Sequence, residues 1–155
     1  MAIEIERKFD VLLELWAKDR PQEYLHICQA YLVTDNAVTV RIRTSNENAY
    51  ITIKGKTSNI SRQEFEYPIP YNEALALMQL STLSIIEKYR YEYYYEGKKW
   101  EVDEFMGMNS GLIVAEIELE SEEEKFAKPD WIGKELTESV RYRNSELAKT
   151  PFKAW

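Results

Sequence analysis

Apolar and polar residues alternate with period two through most of this chain, the spacing of strands that bury one face. The opening Ala2-Ile3-Glu4-Ile5-Glu6-Arg7-Lys8-Phe9 sets Ile3, Ile5 and Phe9 on one side and Glu4, Glu6 and Lys8 on the other. Further strand-like segments follow at 29–34, 37–44, 49–56, 62–69, 85–95, 98–106 and 112–120. Asp35-Asn36 and Glu96-Gly97 read as two-residue hairpin turns. Helices are expected at 11–18, capped by Asp10, and at 73–80, capped by Asn72. Beyond Ser121 the pattern becomes irregular, with a helix across about 140–148. Eight strands in hairpin-like succession with three or four helices predict an α+β fold. The strands either close into an antiparallel barrel or stack as a sandwich with helices on one side. No linker, repeat or low-complexity segment stands out, so residues 1–155 read as one domain.

Composition removes several functions. The 155 residues carry 20 Lys+Arg against 27 Asp+Glu, a net charge of −7. That acidic balance argues against an electrostatic nucleic-acid surface. Single residues of cysteine (Cys28) and histidine (His26) exclude an internal disulfide, a multi-cysteine metal centre and any site needing two imidazoles. There is no apolar run of membrane-spanning length and no secretory leader, so a cytoplasmic protein without a membrane partner is expected.

Charged residues, 30% of the chain, recur on one face of nearly every strand. Arg41 and Arg43 share a side, as do Arg62, Glu64 and Glu66, then Lys88, Arg90 and Glu92. Lys54 lies opposite Ile51 and Ile53; Glu101 and Asp103 oppose Trp100 and Val102; Glu116, Glu118 and Glu120 oppose Ile117 and Leu119. In a barrel these faces point either to solvent around an apolar interior or into a charged interior. Periodicity alone leaves both open. Burying so many ions without ligands would cost several kcal/mol each, which a water-filled tunnel holding metal and a polyanion would relieve. Clustered carboxylates suit hard cations such as Mg²⁺ or Mn²⁺. Arginines two apart on a strand project about 7 Å apart and can grip successive phosphates.

Glu4-x-Glu6-x-Lys8 resembles the ExExK motif of the CYTH superfamily, the triphosphate tunnel metalloenzymes. The likeness continues in order through Arg41-x-Arg43, Ile51-Thr52-Ile53-Lys54-Gly55, Arg62-x-Glu64-x-Glu66, Lys88-x-Arg90, Trp100-Glu101-x-Asp103-x-Phe105 and Gly111-Leu112-x-x-Ala115-Glu116-x-Glu118. Leu136-Thr137 and Arg141-Tyr142-x-Asn144-Ser145-x-Leu147-Ala148 are similar as well. One departure is Ser139, where family members often carry an acid; Glu138 adjoins it. The resemblance implies an eight-stranded antiparallel tunnel with flanking helices and a charged interior. It implies Glu4, Glu6, Glu116 and Glu118 as ligands of Mg²⁺ or Mn²⁺, with Glu64, Glu66, Glu101 and Asp103 as further contributors. It implies Lys8, Arg41, Arg43, Lys54, Lys88 and Arg90 as triphosphate ligands, Lys88 also as the catalytic group that positions or deprotonates water. Arg62 is either a ligand or a partner of Glu64 and Glu66, and Tyr31 either stands near the tunnel mouth or packs.

The implied reaction is metal-dependent hydrolysis of a small-molecule triphosphate, inorganic triphosphate first. Thiamine triphosphate, nucleoside triphosphates, a class IV type adenylate cyclase and a non-catalytic polyphosphate or nucleotide binder are the alternatives. The stripe Tyr89, Tyr91, Tyr93 and Tyr95 lies opposite Lys88 and Arg90, so it is expected outside, packed on a helix or in a homodimer. His26 is expected at the surface and Cys28 in packing. Lys54-Gly55-Lys56 lacks the spacing of a P-loop.

Overall fold

The computed structural model describes residues 3–155, so Ala2 of the opening alternation lies outside the described residues. The strands are β1 (Ile3–Val11), β2 (Leu25–Thr34), β3 (Val38–Ser45), β4 (Asn48–Gly55), β5 (Ser61–Pro68), β6 (Ile86–Tyr95), β7 (Lys98–Phe105), β8 (Ile113–Glu118) and β9 (Ile132–Glu135). The α-helices are α1 (Leu13–Asp19), α2 (Tyr71–Met78) and α3 (Asn144–Lys149). Eight strands pair antiparallel in the order β5-β4-β3-β2-β6-β7-β8-β1, and β1 pairs back onto β5. The ring is therefore closed and the sandwich alternative is not formed. Closure satisfies the backbone groups that an open sheet would leave at its edges.

Strand β1 is the seam. One of its edges meets β8 from Glu6↔Glu118 to Asp10↔Val114. Its other edge is divided: Ile3 to Ile5 pair with β5, whereas Phe9 and Val11 pair with β9. The Leu136 amide donates to the Lys8 carbonyl at 2.7 Å, extending that second contact.

Apolar faces point outward under a cover. Phe9, Trp100, Val102, Ala115 and Ile117 pack with Trp16 of α1 and Trp131, and the outer tyrosines Tyr91 and Tyr93 join them. The Trp16 ring meets Tyr91, Tyr93 and Trp131 edge-on, the orientation that aligns ring quadrupoles. The tyrosine stripe thus packs on a helix, as one of its two expected roles requires. Outward-facing Glu104 holds α1 in place by accepting from Trp16 Nε1 at 2.9 Å and pairing with Arg20. On the far side α2 lays Ala74 and Met78 over Ala30, Ile42 and Ala49.

Inside, one end of the barrel is apolar. Tyr31, Ile86, Phe105, Leu112 and Val114 close around Leu147 and Ala148 of α3, so α3 stops the tunnel at that end.

Several local expectations are corrected. Asp10 does not cap a helix, because pairing with β8 holds it in β1 and α1 begins after Leu12. Asn72 lies inside α2, which starts after Pro70. The first hairpin turns at Asn36-Ala37, one residue later than expected: the Asp35 amide donates to the Val38 carbonyl while its carboxylate accepts from both Ala37 and Val38. Glu96-Gly97 does form the other turn, with φ of 49° and 78°, the positive pair a type I′ hairpin needs. The helix expected across 140–148 divides into a 3₁₀ turn at Val140–Tyr142 and α3.

Candidate active site

Strand parity turns the charged faces inward, around a cavity of about 260 Å³. Eight cationic side chains line it (Lys8, Arg41, Arg43, Lys54, Arg62, Lys88, Arg90 and Arg143) together with seven carboxylates (Glu4, Glu6, Glu64, Glu66, Glu101, Glu116 and Glu118). Among the described residues, Ile60 and Tyr31 are the sole apolar or aromatic members of this lining.

The carboxylates gather where β1 meets β8 and β5. Register places Glu6 opposite Glu118 and Lys8 opposite Glu116. Burial, then the charges of Glu116 and Glu4, raise the Glu6 carboxyl to about 8, so it keeps a proton at neutral pH. Burial would also raise Glu116, but Lys8, Arg90 and Lys88 hold it well below its usual range. Burial raises Glu118, helped by Glu4 and Glu101. Glu4 is lowered against burial by Lys54 and Arg62, which it meets at 3.1 and 3.3 Å. A carboxyl kept protonated by burial, with two other carboxylates beside it, marks a place where a cation would be favoured. An all-oxygen donor set of this kind fits a hard divalent cation.

The cations gather across the cavity on β3, β4 and β6. Arg41 reaches Glu66 at 3.5 Å and Thr52 at 3.1 Å, yet its buried Nε has no hydrogen-bond partner among the described residues. Arg43 donates Nε to Gln29 Oε1 at 2.9 Å and meets no carboxylate within ion-pair distance among the described residues. Burial, with Arg41 and Arg90 beside it, lowers Arg43 to about 9. Lys54 is shared between Glu4 and Glu64. Arg43 is thus the cation of this sector left without a carboxylate partner among the described residues.

A polar network forms the floor between the cations and α3. Lys88 Nζ lies 2.7 Å from Asp103 Oδ2 and donates to Asn144 Oδ1 at 2.9 Å. Gln29 Nε2 donates to the same Asn144 oxygen and to the Tyr31 hydroxyl. Arg90 grips Asp103 with two N–H groups, at 2.7 and 2.9 Å, and reaches Glu101 at 3.4 Å. Burial is the largest influence on Lys88; it outweighs the attraction of Asp103 and, with Arg90 and Arg43, brings the ammonium down to about 7. Burial opposes the ionised form of Asp103 too, but Arg90 and Lys88 hold it at about 2.

Asp103 therefore differs from its expected place. It lies behind Lys88 and Arg90, outside the cavity lining, with both oxygens engaged, and is arranged to position those two cations. Glu4, Glu6, Glu64, Glu66, Glu116 and Glu118 do come together, as do Lys8, Arg41, Arg43, Lys54, Lys88 and Arg90. Arg62 meets Glu4 instead of Glu64 or Glu66. Tyr31 stands at the plugged floor, not at a mouth. Gln29, Asn144, Thr137 and Arg143 are members that charge alternation does not reveal; the first three are neutral, and Arg143 falls where a continuous helix was expected.

An eight-stranded antiparallel tunnel, charged within and stopped by a helix at one end, defines the class of this protein. It belongs to the CYTH domain family, whose model matches residues 2–151. The chain is 46% identical over 154 residues to an inorganic triphosphatase of Acetivibrio thermocellus, covering 99% of this chain and 97% of that one. It is 34% identical over 149 residues to an inorganic triphosphatase of Nitrosomonas europaea, covering 94% and 96%. A crystal structure described as an inorganic triphosphatase superposes with a TM-score of 0.66 at 32% identity, over 96% of this chain and 95% of the other. Among the described residues no helix is long and apolar enough to cross a membrane.

Proposed function

We propose that this protein hydrolyses inorganic triphosphate to pyrophosphate and phosphate with Mg²⁺ or Mn²⁺. The observation that carries the reading is the facing of two complementary sectors in one cavity: carboxylates around a protonated Glu6, and cations around an unpaired Arg43. Each lacks the charge that a metal–triphosphate complex would bring. The relatives' shared activity supports the same reaction. A lining with so little apolar surface suits a bare phosphate chain better than a nucleoside, since pockets for organic ligands are mostly apolar.

In this reading Arg41, Arg43, Lys54, Lys8 and Arg90 bind phosphate oxygens and neutralise the charge that develops on them. Glu4, Glu6, Glu116 and Glu118 hold the metal, with Glu64 and Glu66 at the edge of the set. The ion, when bound, withdraws charge from the phosphates and orients water. Lys88 is the base. Its amine donates to Asp103 and Asn144, and in the neutral form its lone pair takes a proton from the water attacking the terminal phosphorus. The phosphoanhydride bond breaks and pyrophosphate leaves.

The reading is tested by offering inorganic triphosphate, ATP and thiamine triphosphate with either ion and identifying the products. Preferred release of phosphate and pyrophosphate from triphosphate is expected. Cyclic AMP from ATP would overturn it in favour of a cyclase, and tight binding without turnover in favour of a binder.

A further inference from the structure

On the outside of the barrel wall, behind Lys88, three side chains converge that the tunnel does not use. His26 and Cys28 lie two apart on β2 and so share its outer face. Glu87 of β6 is the direct cross-strand partner of Cys28. Their ligand atoms all fall within 4.8 Å of one another. His26 Nε2 is 2.6 Å from Glu87 Oε2 and 3.9 Å from Cys28 Sγ.

We propose that His26, Cys28 and Glu87 form a second metal site, for a zinc-type cation, on the outer face of β2 and β6. Nitrogen, sulfur and oxygen in one trio match the ligands zinc takes, with three protein donors and a water completing a tetrahedron. At the usual zinc–ligand bond lengths, donor atoms of such a site stand about 3.5 Å apart. The observed 2.6 and 3.9 Å bracket that spacing and the third pair lies within 4.8 Å, so rotamer adjustments on the order of 1 Å bring the three donors to it. The Cys28 thiol, 3.9 Å from the same nitrogen, adds a third donor to what would otherwise be a surface histidine–carboxylate pair. The scaffold is rigid: β2 and β6 are paired continuously from Leu25↔Arg90 to Gln29↔Ile86, and the His26 amide is tied to Asn46 Oδ1 at 2.9 Å. The two sites differ in chemistry, because a thiolate selects against Mg²⁺ while the all-carboxylate tunnel favours it. The barrel wall separates them.

The test titrates the full chain with Co²⁺ under reducing conditions and in excess Mg²⁺, following thiolate-to-cobalt charge-transfer absorption. Because Cys28 is the sole thiol, the band reports this site alone. A band saturating at one Co²⁺ per chain and displaced by Zn²⁺ is expected. Cys28→Ser should abolish it, and His26→Gln or Glu87→Gln should weaken Co²⁺ binding by at least about tenfold. Glu6→Gln should leave it intact. In the unmutated protein, stoichiometric Zn²⁺ should slow the reaction of Cys28 with a thiol reagent. Absence of the band, or a band unchanged in His26→Gln and Glu87→Gln, would overturn the proposal.

Discussion

Lys88 Nζ lies 2.7 Å from Asp103 Oδ2, and both side chains are shut off from solvent. The same carboxylate holds two N–H groups of Arg90. One buried anion thus fixes two cations at the tunnel floor, which would otherwise repel each other. Removing one partner of such an assembly strands uncompensated buried charge.

Asp103→Asn is therefore expected to destabilise the protein by about 3–5 kcal/mol, read as a lower denaturation midpoint. Its loss of activity should follow from displaced Lys88 and Arg90, with metal affinity little changed. Isothermal titration with Mn²⁺ separates this from a ligand role: a large loss of metal affinity in Asp103→Asn would place Asp103 back among the metal ligands.

Lys88 titrates near 7 in the fold, and its neutral amine is the proposed base. The hydrolysis rate should rise with pH through about 7 and level off above it, as the protonated fraction disappears. Lys88→Arg stays charged across this range. It should lower kcat by about 10²–10⁴-fold and abolish that limb of the profile. An unchanged profile would remove Lys88 from the proton transfer.

Glu6 is raised from 4.5 to about 8 in the fold without metal. The unfolded chain loses this proton first as pH rises, so the contribution of Glu6 to stability is full below about 4.5 and is lost on rising through about 8. Denaturation of the metal-free protein against pH should show this fall, and Glu6→Gln should flatten it. The same variant, like Glu4→Gln, should lose at least about 100-fold in metal-dependent activity while staying folded.

Arg43 is a half-buried cation with no carboxylate within ion-pair distance among the described residues, so Arg43→Met should leave the ligand-free protein as stable or more so. It should also shrink the thermal stabilisation that triphosphate or pyrophosphate gives, and raise KM. Equal stabilisation of both proteins by triphosphate would place the anion elsewhere.

Parity carried most of this architecture. A period of two in β1, β3, β5, β6, β7 and β8 separated the charged face from the apolar one without any knowledge of pairing, while the family resemblance alone implied that the charged face turns inward. Depth along the tunnel was not legible. Asp103 and Glu101 share a face, and only the register Arg90↔Asp103 puts one beneath the cations and leaves the other in the cavity. Local cap signals failed where pairing overrode them, as at Asp10, which β8 keeps extended. Strand β9 spans four residues, too few to display alternation, and exists because the second edge of β1 needs partners. Gln29 and Asn144 carry no charge and so left no trace in a pattern read from charge. His26 and Cys28 were visible two apart, but Glu87 joins them only through the β2–β6 pairing.

The central claim is that the facing carboxylate and cation sectors act together on a metal-bound triphosphate chain. Its most direct measurement is the stoichiometry of products from inorganic triphosphate with Mg²⁺ or Mn²⁺, with a chelator, and in Glu4→Gln/Glu6→Gln and Arg43→Met. One phosphate and one pyrophosphate per triphosphate, lost on chelation and in the double variant and reduced in Arg43→Met, is the predicted result. Turnover that persists with chelator, or in the folded double variant, would contradict it.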